Sequence, residues 1–256
     1  MRPMPADAIP EQRLEQVRLL ASDIDDTLTE NGKLTPEVLD GLQRLRTAGV
    51  KVWLVTGRCA AWGQALSAYL NVDGVIAENG GVLFTGEQPR LLADAAELGE
   101  NRSRLREFYA KVRERVPAAE ATDDNIGRLT DWTIDRHPLS NEQLALIHDL
   151  GREAGLRVIA SSIHVHFFAG AHTKATALEA VCAQEGIVDR QQVVTLGDSP
   201  NDEPMFAAER FPFSVGVANI APALERMTHR PLFILDRPEA AGAIALMRKI
   251  LLAKGR

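Results

Sequence analysis

Asp23 and Asp25 stand two residues apart in Asp23-Ile24-Asp25-Asp26-Thr27, at the end of the apolar run that begins at Val17. Residues two apart on extended backbone point to one side, so both carboxylates can face one site. Two close carboxylates repel, and they persist together when a cation or a shared proton relieves them. A second acidic group, Gly197-Asp198-Ser199-Pro200-Asn201-Asp202, follows the run Gln192–Leu196. Asp23, Asp25, Asp198 and Asp202, without His or Cys beside them, form an oxygen-only donor set that suits Mg²⁺ rather than zinc. Each motif alone has an ordinary alternative: an Asp-rich turn at a strand exit, or a Gly-Asp turn capping a helix. Two acidic strand ends in one sheet are much harder to dismiss.

Thr56-Gly57-Arg58 offers a hydroxyl and backbone N–H groups where a strand gives way to a helix, an arrangement that binds phosphate oxygens. In isolation it would be read as helix capping by Thr56. Lys174, at another helix start, can bring a point charge to a phosphate or to a carboxylate pair. It matters through its company, since a lone Lys is usually solvated.

The elements that must position these groups alternate. Thr35-Pro36-Glu37 starts a helix, with Thr35 as N-cap and Pro36 in the first helical position; Val38, Leu42 and Leu45 follow at helical spacing and Gly49 closes it. Val50–Val55 reads as a strand, the stretch to about Leu70 as a helix, and Gly74–Ala77 as a third strand. Strands alternating with helices through short loops predict an α/β fold, a doubly wound, Rossmann-like parallel sheet. The rhythm changes after about Gly86. Leu105, Phe108, Tyr109, Val112 and Val116 mark one helical face, and Asn125–Asp135 alternates like a strand. Leu144, Ile147 and Leu150 mark a second helix, while Leu156–Ala160 and Ile163–Phe168 read as strands. Residues 86–169 are therefore expected to form an inserted α+β cap, with core 1–85 and 170–256 on either side and Ala169–His172 as the return hinge. The α/β pattern then resumes with a helix from Lys174, strands at Gln192–Leu196, Phe213–Val217 and Leu232–Leu235, and a closing helix, Ala240–Leu252.

The chain has 256 residues, 45% hydrophobic and 25% charged, with a formal net charge of −6. This balance argues against sequence-independent binding to nucleic acid or to an anionic membrane, yet admits a small anionic substrate. Two cysteines, Cys59 and Cys182, lack metal-ligand spacing; with no signal-peptide segment and no apolar stretch of membrane-spanning length, a cytoplasmic protein is expected. Oligomeric state is not legible.

The order Asp-x-Asp-x-Thr, Thr, Lys, Gly-Asp-x-x-x-Asp resembles the haloacid dehalogenase-like superfamily, over roughly residues 17–85 and 170–252. The long insertion between Thr56 and Lys174 resembles the type-2 caps of its Cof-like and sugar-phosphatase branch, as do Asn79-Gly80-Gly81 and Gly216-Val217-Ala218-Asn219. Asp26 departs from the pattern, since many relatives have Gly there. The resemblance implies a Mg²⁺-dependent phosphatase acting on a small phosphorylated metabolite. Asp23 would be the nucleophile that forms an aspartyl-phosphate. Asp25 would be the acid and base; Asp23, Asp198 and the Asp25 backbone carbonyl would hold the metal; and Thr56, Gly57 and Lys174 would stabilise the transferring group. Asn201 and Asp202 would orient Lys174 and the metal waters, with Asp202 a further candidate ligand, and Arg58 and Asn79 would form the pocket wall.

A phosphomutase and a non-catalytic phosphate-binding protein are the alternatives on the same core. Asp25 favours phosphoryl chemistry over dehalogenation, and no catalytic residue is missing. For the substrate, Asn201–Phe206 resembles the mannosyl-3-phosphoglycerate phosphatases and Ser214–Asn219 the archaeal-type phosphoglycolate phosphatases, two conflicting hints. In the cap, Arg128, His164 and His166 are candidates to read the leaving group. The two histidines share a strand face opposite Ile163, Val165 and Phe167.

Overall fold

The run that delivers Asp23 is buried on both of its faces, as a central parallel strand must be. The structure, a computed structural model, describes residues 2–86, 88–92 and 95–255. The expected outer limits 1 and 256, and residues 87, 93 and 94 of the expected insertion, lie outside the described residues. In chain order the elements are β1 (Met4–Pro5), α1 (Glu11–Glu15), β2 (Leu19–Ser22), β3 (Thr29–Glu30), β4 (Lys33–Leu34), α2 (Pro36–Thr47), β5 (Lys51–Val55), α3 (Ala60–Tyr69), β6 (Gly74–Ala77), β7 (Val82–Thr85) and β8 (Gln88–Leu91). They continue with α4 (Leu98–Arg115), β9 (Asp131–Asp135), α5 (Asn141–Glu153), β10 (Arg157–Ala160) and β11 (His164–Phe168). The last are α6 (Lys174–Gln184), β12 (Val193–Gly197), α7 (Glu203–Phe206), β13 (Phe213–Gly216), β14 (Phe233–Ile234) and α8 (Glu239–Ala253).

The main sheet runs β1-β14-β13-β12-β2-β5-β6-β7-β8, parallel from β1 through β6 and antiparallel at β6–β7 and β7–β8. Alternation along β2 splits the core in two. Leu20 packs with Val52, Leu54 and Val194 beside α2 and α8. Leu19 and Ala21 pack with Trp53, Val55 and the α6 residues Ala177, Leu178 and Val181. Each face of the sheet thus buries its own layer, which is the doubly wound arrangement.

Residues after β8 build a separate antiparallel sheet, β10-β11-β9. Val165 and Phe167 of β11 and Ile134 of β9 join Leu105, Phe108 and Val112 of α4 and Ile147 of α5 in one core. Phe167 meets the Phe108 ring edge-on at 4.9 Å between centroids. His164 and His166 consequently point to the other sheet face.

The run read as one strand, Asn125–Asp135, is divided. Asp123–Gly127 is a short 3₁₀ turn and only Asp131–Asp135 is strand. The Asn125 amide replaces a strand partner: its Oδ1 accepts from Thr133 N at 2.9 Å and its Nδ2 donates to Thr133 O at 2.7 Å. A side chain that satisfies backbone groups in this way competes with regular pairing. The hairpin β7–β8, which the change of rhythm near Gly86 does not announce, extends the main sheet. No helix of the described residues is long and apolar enough to cross a membrane.

Candidate active site

The strands β2, β5 and β12 lie side by side and release their acidic and polar loops at one edge. Asp23 still belongs to the ladder, its N–H donating to Leu196 O at 2.9 Å. The chain then turns sharply, with Thr27, Leu28 and Thr29 N–H all directed at Ile24 O. Asp26 completes this turn at φ +58°, a left-handed conformation open to Gly and tolerated by Asp. That backbone requirement accounts for Asp where the family pattern often has Gly. Its N–H donates to Thr29 Oγ1 and its carbonyl accepts from Asn219.

Lys174, the first residue of α6, is buried and donates to Asp23 Oδ1 and, at 2.6 Å, to Asp202 Oδ1. Asp202 Oδ2 accepts from the N–H groups of Asp198 and Ser199 at 2.9 and 3.1 Å. This fold-back needs Gly197, because a Cβ there would lie 2.5 Å from the Asp202 carboxyl carbon. Thr27 Oγ1 donates to Asp198 Oδ1 at 2.8 Å. Asp23 Oδ2 and Asp198 Oδ2 have no hydrogen-bond partner among the described residues.

Carboxylate oxygens of Asp23, Asp198 and Asp202 lie within 4.8 Å of one another. Burial raises the Asp23 carboxyl well above its ordinary range, opposed by Lys174 and reinforced by Asp202, Asp198 and Asp25. Burial, with Asp202 next, pushes Asp198 up to about 8. Burial would lower the Lys174 ammonium, but Asp202 and Asp23 outweigh it and hold the charge. One ammonium against three buried carboxylates leaves an excess of negative charge that a divalent cation relieves. The all-oxygen donor set fits such a cation, with Asp198 Oδ2 and one oxygen of Asp23 as its available ligands.

Thr56 Oγ1 accepts from Arg58 N at 3.0 Å, and Arg58 grips Asp25 through Nε–Oδ2 at 2.9 Å and Nη2–Oδ1 at 2.6 Å. Asn79, at φ +51°, accepts from Asn201 Nδ2 at 3.1 Å through its Oδ1. Gly57 lies against the insertion: a Cβ there would fall 3.0 Å from His166 Cε1 and 3.1 Å from Asn79 Nδ2.

Thirteen residues were expected at the site. The core set Asp23, Asp25, Thr56, Gly57, Arg58, Asn79, Lys174, Asp198, Asn201 and Asp202 gathers at this one edge, and His164 and His166 of β11 face it. Arg128 is placed differently. It is 2% exposed, paired with Asp124 at 2.7 Å and Asp131 at 3.0 Å, and its Nη1 donates to Gly57 O at 3.0 Å. The sequence sets Asp131 beside Arg128, where the two would ordinarily be surface groups, and gives no sign of the buried role of Glu78. The Glu78 carboxylate accepts from the N–H groups of Ala60, Leu129 and Thr130 and from the Thr130 hydroxyl. Asp131, three residues from Arg128 in a stretch with alternating pattern, carried the only signal; a buried Glu after a strand has none.

Between the core loops and Ser161, Ser162, His164 and His166 the enclosed space is about 10 Å³, on the scale of one water. Beyond Ser161, Ser162 and Ser199 the crevice continues into a wider cleft of about 680 Å³, reaching Arg136, His148 and Arg226.

A family model described as haloacid dehalogenase-like hydrolase matches residues 20–97 and 100–230. A phosphoglycolate phosphatase of Methanothermobacter thermautotrophicus is 30% identical over 92% of this chain and 99% of its own. One from Methanopyrus kandleri is 26% identical over 91% and 97%. Among solved structures, the sucrose-phosphatase of Synechocystis, in complex with sucrose and phosphate, superposes with a TM-score of 0.69 at 17% identity, covering 92% of this chain and 98% of its own.

Proposed function

Because the chain belongs to the haloacid dehalogenase-like hydrolases, we propose that it is a Mg²⁺-dependent phosphatase that hydrolyses a small phosphomonoester through an aspartyl-phosphate at Asp23. The observation that carries this is the convergence at one sheet edge of Asp23, Asp25 and Asp198 with the Thr56-Gly57 turn and Lys174.

Asp23 Oδ2 is the oxygen left free to attack phosphorus, Oδ1 being held by Lys174. Attack forms the Asp23 O–P bond and expels the ester oxygen, which takes a proton from Asp25. Asp25 then removes a proton from the water that cleaves the acyl-phosphate, returning free Asp23 and inorganic phosphate. Asp23, Asp198 and the Asp25 backbone carbonyl would hold Mg²⁺, which would supply neutralisation of phosphoryl charge. Asp202 anchors Lys174 and the Asp198 loop. Thr56, Gly57 N–H and Lys174 take the equatorial oxygens.

Residues 86–169 act as the cap over core 1–85 and 170–256, although β8 stays hydrogen-bonded to the main sheet. Arg128 supports the site from the cap by holding Gly57 O. His164 and His166, with Asn79, Arg58 and Asn201, border the phosphate and the start of the leaving group. The names of the relatives point to phosphoglycolate or a sugar phosphate, and the wider cleft has room for the larger leaving group of the two. A panel of phosphorylated metabolites assayed with Mg²⁺ tests the proposal; release of phosphate from none of them would refute it.

A further inference from the structure

His166 contacts a buried carboxylate through one ring nitrogen and the active-site crevice through the other. On β11 it pairs with Thr133 of β9, and Asp131 lies one pair further on the same sheet face. His166 Nδ1 is 2.9 Å from Asp131 Oδ2, and Arg128 Nη1 reaches both oxygens of that carboxylate at 3.0 and 3.1 Å. All three side chains are buried. Burial raises the Asp131 carboxyl, but Arg128, bonded to both of its oxygens, opposes this and holds it as a carboxylate; it is then an acceptor only, so the proton between the pair sits on Nδ1. Asn79 Nδ2, 3.3 Å from the same Nδ1, does not change this. Turning the Asn79 and Asn201 amides together makes Asn79 Oδ1 a second acceptor for that proton. Burial, with Arg128 and Lys174 nearby, keeps the ring neutral, so Nε2 bears a lone pair.

That lone pair has no hydrogen-bond donor among the described residues. The Cε1–Nε2 edge of the ring lies against Gly57, where a Cβ would fall 3.0 and 3.1 Å from the two atoms, and it borders the crevice that holds Asp23 and Asp25. We infer that Asp131 fixes His166 as the Nδ1–H tautomer, so that Nε2 accepts a hydrogen bond from an O–H group of the bound substrate. The inference rests on the phosphatase reading for the substrate and on this geometry for the tautomer. A phosphate dianion presents only acceptors and would be repelled by Nε2. The partner is therefore a hydroxyl of the leaving group or a protonated phosphoryl oxygen. Asp131 is the positioning residue and His166 the one that touches substrate.

Imidazole ¹⁵N spectra of the wild-type protein test the tautomer without turnover. The expected result is a protonated Nδ1 and an unprotonated Nε2 for His166, with the proton no longer fixed on Nδ1 in Asp131→Asn; a wild-type ring protonated on Nε2 overturns the inference. His166→Asn keeps a donor at the Nδ1 position and removes the Nε2 acceptor, whereas His166→Gln offers an acceptor near Nε2. With glycerol 3-phosphate, His166→Asn should raise KM about ten-fold, the worth of one hydrogen bond, and His166→Gln should recover part of it. Propyl phosphate, which has no free hydroxyl, separates the two donor sources. A loss confined to glycerol 3-phosphate identifies a leaving-group hydroxyl. An equal loss with both esters, and in inhibition by inorganic phosphate, identifies a phosphoryl O–H. Unchanged constants for all three probes overturn the substrate contact. Failure of the wild type to hydrolyse any phosphomonoester refutes the phosphatase reading, and the ¹⁵N result stands apart from it.

Discussion

Arg58 clasps the carboxylate of Asp25 with two hydrogen bonds, 2.9 and 2.6 Å long, one to each oxygen, while its guanidinium carbon lies 5.3 Å from the Trp62 ring centre. Such fork-to-fork pairs add geometric definition as well as energy. Arg58 therefore fixes where the Asp25 carboxyl group stands beside a departing ester oxygen. Asp25→Asn should slow alkyl phosphates far more than p-nitrophenyl phosphate, whose leaving group needs no protonation. Arg58→Ala should follow the same pattern more weakly, with roughly a ten-fold loss of kcat for alkyl phosphates, about 1.4 kcal/mol. Equal losses on both ester types would show that Asp25 is not the leaving-group acid.

Among the described residues Lys174 is the one cation bonded to Asp23 and Asp202, and it is buried with them. Lys174→Met leaves these carboxylates without their counter-charge, so turnover should vanish. Unfolding in urea without added metal should show a loss of about 3–5 kcal/mol, the usual result of removing one partner of a buried pair. An unchanged unfolding midpoint would mean that the carboxylates are relieved in some other way.

Glu78 ties the core to the cap loop through Leu129 and Thr130 at 2.6 to 3.1 Å. In Glu78→Gln the amide keeps one acceptor but turns an N–H toward these donors. The variant should lose roughly 1–3 kcal/mol of stability, the range for hydrogen bonds to a charged group and for a buried group left unsatisfied. Proteolysis within residues 123–130 should become faster. Wild-type stability together with wild-type proteolysis would remove Glu78 from the account of cap docking.

The parts of this architecture that were legible in the sequence are those with short-range signatures. Thr35-Pro36 announces α2, the apolar runs announce β2, β5 and β12, and the change of period announces the insertion. The core constellation was legible because strand ends in a parallel sheet share an edge. The split of Asn125–Asp135 was not, since an Asn side chain taking the place of a strand partner leaves the alternation intact. Nor was the confinement of Arg128, because neither the depth of its burial nor its bond to Gly57 O has a local pattern. Asp26 looked anomalous as a residue type and is explained by a backbone angle.

Removal of divalent metal should abolish hydrolysis of p-nitrophenyl phosphate, because burial and the neighbouring carboxylates then favour a protonated Asp23, which does not attack phosphorus. EDTA should bring activity to background and Mg²⁺ should restore it. Full activity in chelator, or activity with zinc alone, would contradict the magnesium assignment that the all-oxygen donor set supports.

The covalent role of Asp23 can be read directly. The protein, turning over p-nitrophenyl phosphate with Mg²⁺, is quenched and reduced with borohydride, which converts an aspartyl-phosphate to homoserine, and the peptide containing residue 23 is then weighed by mass spectrometry. The account predicts homoserine at position 23, dependent on substrate and metal, and neither turnover nor conversion at that position in Asp23→Asn. Sustained turnover in Asp23→Asn, or rapid wild-type turnover with Asp23 unmodified at every quench time, would contradict it.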